Sequence, residues 1–293
     1  MIVHLDGQLV RAEDARVSPF DRAFMFGDGV YEGLRAVGGV VAGLGPHAER
    51  MRAGLSEARI EGFDPERLGE LSAALLRANG LADAFLYWQV SRGCAPVQGA
   101  GTAELRARAP RSGALRPTVF GFATPLPAVS TYRTPRARTA RVCEDTRWLR
   151  GHLKSISLMG GVIAAYEAQE DGADEPILVR DGLVSEGVAT NVLVASGGRV
   201  STPPIGQGRI LAGVTRRLLL ESGSGIVERP IGLEELRRAD EVMLIGTATM
   251  VASVVRLDGR PVGGGEPGPQ ATRLLRLLVE SLERDAAPSP SRA

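Results

Sequence analysis

His152-Leu153-Lys154-Ser155-Ile156-Ser157-Leu158-Met159 carries the only lysine of the chain, although lysine and arginine together number 35. Most cationic roles on a surface are met by either residue, and here nearly all went to arginine. A site that needs a primary amine cannot make that exchange. Guanidinium stays protonated and is a poor nucleophile, whereas a desolvated ammonium can lose its proton and condense with an aldehyde. An arginine-biased composition that left one lysine by chance is the competing explanation, so the surrounding sequence has to weigh between them.

Downstream of the lysine, Ser157 to Gln169 has the small and apolar residues of a helix stopped by Asp171-Gly172. Ile177 to Arg180 then pairs with Leu183 to Ser185 across Asp181-Gly182, and Asn191 to Ala195 with Arg199 to Ser201 across Gly197-Gly198. An apolar strand is expected at Glu241 to Ile245 and a last helix at Pro269 to Leu282. Upstream, a strand is expected around Thr139 to Val142. Before it, Thr124-Pro125-Leu126-Pro127-Ala128 is stiff and poor in donors, as an interdomain linker would be.

The first half repeats the hairpin pattern. Asp6-Gly7 joins Ile2 to Leu5 with Gln8 to Val10, and Gly38-Gly39 joins Val30 to Val37 with Val40-Val41. Helices are expected from Pro46 to Arg59 and from Pro65 to Asn79, the latter ending at Gly80. Phe85 to Ser91 and Arg116 to Phe122 read as strands. Between them, Gly93 to Pro117 loses periodicity and reads as a long active-site loop or crossing connection. The resulting class is α+β with mixed sheets. The expected boundaries are a small N-terminal domain at 1–123, a linker at 124–132, a larger C-terminal domain at 133–285 and a disordered tail at 286–293.

The 293 residues, 44% of them hydrophobic, suffice for a large core. A formal charge of +1 leaves no electrostatic footprint for nucleic acid or an anionic membrane. Cys94 and Cys143 are too few and too isolated for a disulfide framework or a metal site, so neither disulfide nor metal is expected. The N-terminus lacks the regions of a signal peptide and no apolar run is long enough to span a bilayer, which places the protein in the cytoplasm. No Gly-x-Gly-x-x-Gly follows a strand and no Gly-Lys-Ser/Thr loop occurs, so neither a dinucleotide fold nor a P-loop is expected.

Four further stretches have the composition that a lysine-bound pyridoxal 5'-phosphate needs. Glu186, in Val184-Ser185-Glu186-Gly187, is the candidate carboxylate for keeping a pyridine nitrogen protonated, with an ordinary strand glutamate as the alternative. Leu211-Ala212-Gly213-Val214-Thr215 makes a helix start whose amides and hydroxyl suit a phosphate, with Leu211 placed to pack on a ring. Arg50, in the first turns of a helix, could hold the same phosphate, or be one more surface charge. Gly246-Thr247-Ala248-Thr249 forms a small polar turn after a strand, suited to phosphate on one side and a substrate carboxylate on the other.

Together with Phe26-Gly27-Asp28-Gly29-Val30-Tyr31-Glu32, His47 to Arg50, Glu144-Asp145, Arg147-Trp148-Leu149-Arg150, Asn191-Val192 and Thr215-Arg216, these stretches resemble the class IV, fold-type IV pyridoxal-phosphate aminotransferases along nearly the whole chain. That group includes D-amino-acid and branched-chain aminotransferases and aminodeoxychorismate lyase. The resemblance implies a small N-terminal α/β domain and a larger barrel-like, mixed-sheet domain that binds the cofactor. It also implies Lys154 as Schiff base and proton carrier, Glu186 at the pyridine nitrogen, and Arg50, Gly213, Val214, Thr215 and Thr247 around the phosphate. A homodimer whose loops complete the neighbour's site is implied as well.

From Trp148 to Asn191 the match is nearest to D-amino-acid aminotransferases, which favours a D-amino acid such as D-alanine as donor and a 2-oxo acid as acceptor. Two features depart from the family patterns. The Arg-x-His carboxylate trap of those enzymes is absent, with Val97 and Gly99 where it would fall, and the branched-chain arginine after Tyr87 is replaced by Gln89. Arg35, in Tyr31-Glu32-Gly33-Leu34-Arg35, could receive the substrate carboxylate instead, or face outward from its strand. Tyr31, Tyr87, Thr247 and Ala248 complete the substrate-side candidates. Branched-chain L-amino-acid or (R)-amine transamination, aminodeoxychorismate lyase activity and cofactor binding without turnover remain the alternatives.

Overall fold

The computed structural model describes residues 1–95, 101–110, 115–206 and 210–287. The chain divides into two compact units, Met1–Pro127 with Leu153–Leu158, and Ala128–His152 with Met159–Ala293. The lysine segment therefore leaves its sequence neighbours and belongs to the first unit, whereas the sequence suggests one continuous domain over residues 133–285.

In the first unit the elements follow as β1 (Ile2–Leu5), β2 (Gln8–Arg11), α1 (Arg22–Phe26), β3 (Gly29–Val37), β4 (Val40–Ala42), α2 (Leu44–Ala58), α3 (Leu68–Asn79), β5 (Ala84–Cys94), α4 (Thr102–Leu105) and β6 (Arg116–Pro125). The strands form a six-stranded sheet in the order β2-β1-β6-β5-β3-β4. Both hairpins expected from turn chemistry are present. Asp6 and Gly7 have φ of 49° and 89°, the doubly positive pair whose twist matches antiparallel strands.

Alternation along β3 sends Val30, Leu34 and Ala36 into a core with Met51 and Leu55 of α2, Leu68 and Leu75 of α3, and Leu86, Trp88 and Val90 of β5. Trp88 is fully buried, and its indole N–H donates to Ser72 Oγ at 2.9 Å, so the largest side chain of this core leaves no orphaned donor. Asp28 of the Phe26-Gly27-Asp28 motif accepts from Arg22 Nε at 2.6 Å and Arg92 Nε at 2.8 Å, tying the entry of β3 to β5.

The second unit contains β7 (Arg136–Glu144), α5 (Met159–Glu170), β8 (Glu175–Arg180), β9 (Leu183–Gly187), β10 (Asn191–Ser196), β11 (Arg199–Thr202), α6 (Val214–Glu221), β12 (Val227–Glu228), α7 (Leu233–Arg237), β13 (Glu241–Gly246), β14 (Met250–Leu257), β15 (Arg260–Pro261) and α8 (Pro269–Ala286). Its nine-stranded sheet runs β12-β11-β10-β13-β14-β7-β8-β9, with β15 beside β14. The sheet is mixed, since β7 pairs parallel to both β14 and β8. β9 stands at one end of this order, yet only residues 188–190 separate it from β10 near the other end. The sheet therefore curls. Ile177, Val179, Val184, Val192, Val194, Val242, Leu244 and Val254 pack together on its inner face.

Four expectations change. Pro65–Arg67 is a 3-10 turn before α3, not part of one helix. Helix α5 begins at Met159, since Ser157 Oγ donates to Gly27 O at 2.8 Å and Ile156 N donates to Gly29 O at 3.1 Å, engaging the residues before it outside the helix. Thr124 and Pro125 are paired with β5, opposite Phe85 and Ala84, so the strand runs into the segment read as a linker. The last helix reaches Ala286, and residues 288–293 of the expected tail lie outside the described residues.

Candidate active site

Lys154 is held through its backbone. Tyr31 N donates to Lys154 O at 3.0 Å, and Val30 and Ser155 form an antiparallel bridge, so the lysine segment lies along the edge of β3. Its Nζ sits 4.3 Å from the centre of the Tyr31 ring, a cation–π contact.

Pleating places Tyr31, Gly33 and Arg35 on the face of β3 opposite the core. Across the register lie Gln89, Tyr87 and Phe85, then Phe120, Phe122 and Thr124. The Tyr31 and Tyr87 rings stack at 5.5 Å and those of Tyr87 and Phe122 at 5.2 Å, which makes an aromatic row on this face. Burial pushes the Tyr87 hydroxyl up to about 12. It stays protonated and donates to Gln89 Oε1 at 2.9 Å. Arg35 is 1% exposed and donates from Nη1 to Pro127 O at 3.3 Å, which corrects the outward-facing alternative.

Glu32 points the other way, into the core, and is fully buried. Its Oε1 accepts from Arg50 Nε at 2.8 Å, and its Oε2 from Arg50 Nη2 at 2.7 Å and from His47 Nδ1 at 2.7 Å. Burial alone would raise this carboxyl, but the charge and hydrogen bonds of Arg50, aided by His47, win and bring it to about 2. His47 is pushed down by its own burial, so the neutral ring donates through Nδ1–H. Arg50 is thus an ion-paired group of the interior face of α2, not the surface charge weighed as an alternative.

In the second unit, Glu186 continues the inward row of β9 two residues after Val184 and is 5% exposed. It is far from an ordinary exposed glutamate. Oε1 accepts from Arg147 Nη1 at 3.0 Å, and Oε2 from the Leu211 amide at 3.0 Å and from Asn191 Nδ2 at 3.4 Å. Arg147 is itself held by Asp145, through Nε at 2.8 Å and Nη2 at 3.1 Å. Burial works against the Arg147 cation, but Asp145 and Glu186 outweigh it and raise its pKa. Asn191 Nδ2 also donates to Leu211 O at 3.0 Å, fixing the approach to α6.

Gly213 caps that helix in an extended conformation, and a Cβ there would lie 1.9 Å from Asn191 Oδ1. Only glycine permits this approach. Val214 and Thr215 follow in the first turn, both buried, with main-chain amides that no carbonyl of the helix can receive. Asn191 pairs with Ile245, which brings the start of β10 beside the end of β13, where Thr247 and Ala248 form the turn into β14. Glu186, Leu211, Gly213 to Thr215 and the Thr247 turn are therefore gathered at one end of the curled sheet.

Glu32, His47, Arg147 and Asn191 all stand within the sequence motifs, but the motifs alone assigned none of them a role. One signal was available for Glu32: a carboxylate in phase with Val30 and Leu34 is a charge on a core face. Val97 and Gly99, where the carboxylate trap would fall, lie outside the described residues.

The family model described as amino-transferase class IV matches residues 29–257. A D-alanine aminotransferase of Bacillus licheniformis is 35% identical over 98% of this chain and 99% of its own. A branched-chain aminotransferase from Thermoproteus uzoniensis, solved with norvaline, is 27% identical with a TM-score of 0.80, covering 97% of this chain and 96% of that one. A hypothetical aminotransferase from Mycobacterium tuberculosis, solved in its PLP-bound form, shares the fold at 24% identity with a TM-score of 0.79, covering 97% of this chain and 100% of that one.

Proposed function

The chain belongs to the class IV aminotransferases, pyridoxal-phosphate enzymes of fold type IV, and from that premise we propose that it moves an amino group from a D-amino acid, D-alanine favoured, to a 2-oxo acid. The observation that carries the chemistry is the chain's only primary side-chain amine, pinned by its backbone to the edge of β3. The preference for a D-amino acid is supported by the 35% identity to a D-alanine aminotransferase over nearly the whole chain.

The donor set fits pyridoxal 5'-phosphate: one amine, one buried carboxylate already served by a guanidinium, and a helix start that glycine leaves open. When bound, the cofactor supplies the aldehyde carbon and the electron-withdrawing ring. Lys154 would hold that carbon through its Nζ and would take up and return the proton of the substrate Cα. Glu186 would keep a proton on the ring nitrogen, and Leu211 would pack on the ring. The Val214 and Thr215 amides, the Thr215 and Thr247 hydroxyls and Arg50 receive the phosphate. Of the substrate-side candidates this reading keeps Tyr31, Tyr87, Thr247 and Ala248, whereas Arg35 is 1% exposed and bonded to Pro127 O, so it does not face open space.

We also propose a homodimer in the cytoplasm. Met159, Val162, Ile163 and Tyr166 form an exposed apolar stripe at helical spacing along α5, the kind of surface a second copy covers. Both cysteines are free thiols, as a reducing compartment permits. Among the described residues no helix is long and apolar enough to cross a membrane.

The aromatic row of Tyr31, Tyr87 and Phe122 favours a second reading, transfer from a branched-chain L-amino acid. Stoichiometric release of the carbonyl product in a single turnover tests both, an oxo acid from D-alanine or L-leucine and a ketone from an (R)-amine, each offered separately. D-alanine should react fastest. Faster reaction of L-leucine would replace the first reading with the second, and pyruvate release from aminodeoxychorismate with no half-reaction would replace both with the lyase.

A further inference from the structure

We infer that Glu32 is a positioning residue for the cofactor phosphate, acting through Arg50; the inference rests on the proposed role of Arg50 and deepens it. A fully buried carboxylate on a face otherwise made of Val30, Leu34 and Ala36 is costly to keep, and an apolar side chain there would pack at no electrostatic expense. Glu32 remains charged only because Arg50 bonds both of its oxygens and His47 adds a third donor.

What the arrangement accomplishes is geometric. An arginine side chain has many rotamers, and a guanidinium recognises an anion through a planar fork that has to be aimed. Glu32 grips the Nε and Nη2 edge of that fork, so the plane of the guanidinium is set by the backbone of β3. The preceding residue performs the same service for the lysine, since Tyr31 N bonds Lys154 O at 3.0 Å. Consecutive residues of one strand therefore register the amine and the phosphate-binding cation against the same backbone, one through a main-chain bond and the other through a carboxylate. His47 fixes the carboxylate in turn and is neutral, so it adds no competing charge.

The alternative is that Glu32 merely neutralises a buried arginine, in which case its loss would strengthen phosphate binding by releasing a positive charge. The two are separated by comparing pyridoxal phosphate with unphosphorylated pyridoxal. Holoenzyme and its Glu32→Gln and Glu32→Asp variants are stripped of cofactor, checked for melting, and titrated with each compound by the visible absorbance of the bound form.

If Glu32 aims Arg50, Glu32→Gln weakens pyridoxal phosphate roughly 10- to 100-fold, the size of one well-placed charge-assisted contact, and leaves pyridoxal within about 3-fold of wild type. Glu32→Asp keeps the charge on a shorter stem and should fall between; if the glutamine variant does not fold, the aspartate variant carries the comparison. Equal weakening of both compounds, or tighter phosphate binding, overturns the inference. If wild type itself shows no preference for the phosphorylated compound, or Arg50→Met keeps that preference, the Arg50 reading fails and the inference with it. A preference abolished by Arg50→Met but intact in Glu32→Gln sinks the inference alone.

Discussion

Replacing Arg147 by methionine, which keeps an unbranched apolar stem and removes the guanidinium head, exposes how much the buried polar network of the second unit depends on one cation. Asp145 would lose contacts of 2.8 and 3.1 Å, and Glu186 one of 3.0 Å. Removing one partner of a buried ion pair costs about 3–5 kcal/mol. Here the lower end applies, because Asp145 keeps Arg180 at 3.1 Å, Glu186 keeps the Leu211 amide, and Arg147 is 17% exposed. A loss of about 3 kcal/mol lowers the melting temperature by roughly 6–12 °C for a unit of this size.

The pH dependence gives a second readout. Burial alone would raise the Asp145 carboxyl, but the hydrogen bond and charge of Arg147, with Arg180, hold it below its ordinary value. A carboxylate depressed in the folded state stabilises fully above its unfolded pKa of about 3.9, and that contribution is lost as pH falls through the folded value. Without Arg147 there is less to lose, so the gap between variant and wild type should narrow below about pH 4. Thermal melts monitored by circular dichroism from neutral to acid pH measure both quantities. A variant that melts within about 2 °C of wild type at neutral pH would refute the argument.

Lys154→Ala should lower turnover by about a thousandfold or more, since no other side-chain amine exists, and borohydride treatment followed by peptide mapping should find cofactor on residue 154 of wild type only. Gly213→Ala places a methyl 1.9 Å from Asn191 Oδ1, so Asn191 or the helix start must shift, and it should both weaken cofactor binding, read by absorbance titration, and lower the melting temperature of the cofactor-free protein. If the proposed dimer forms through the exposed stripe of α5, Ile163→Arg should lower the sedimenting mass from two chains to one; an unchanged mass would remove that helix from the proposed interface. Glu32, held at about 2, contributes its stability above its ordinary pKa near 4.5 and loses it as pH falls toward 2. Glu32→Gln should therefore flatten the acid limb of stability in urea melts, and an unaltered limb would contradict the buried pair.

Local chemistry was legible in the chain alone. Turn pairs such as Asp6-Gly7 and Asp181-Gly182 set the hairpins because positive φ is a property of adjacent residues. Apolar alternation marked the strands for the same reason, and the solitary lysine announced amine chemistry without any coordinates. What only the tertiary structure decided is where the charges went. Glu32 meets His47 and Arg50 from 15 and 18 residues away, and Arg147 reaches Glu186 across 39. Arg35 could be read as exposed or buried from its strand, and in the folded chain it is buried with a bond to the Pro127 carbonyl, 92 residues away. Whether a carboxylate or guanidinium is tolerated inside depends on a partner brought in by the folded chain, and no nearest-neighbour pattern encodes that meeting.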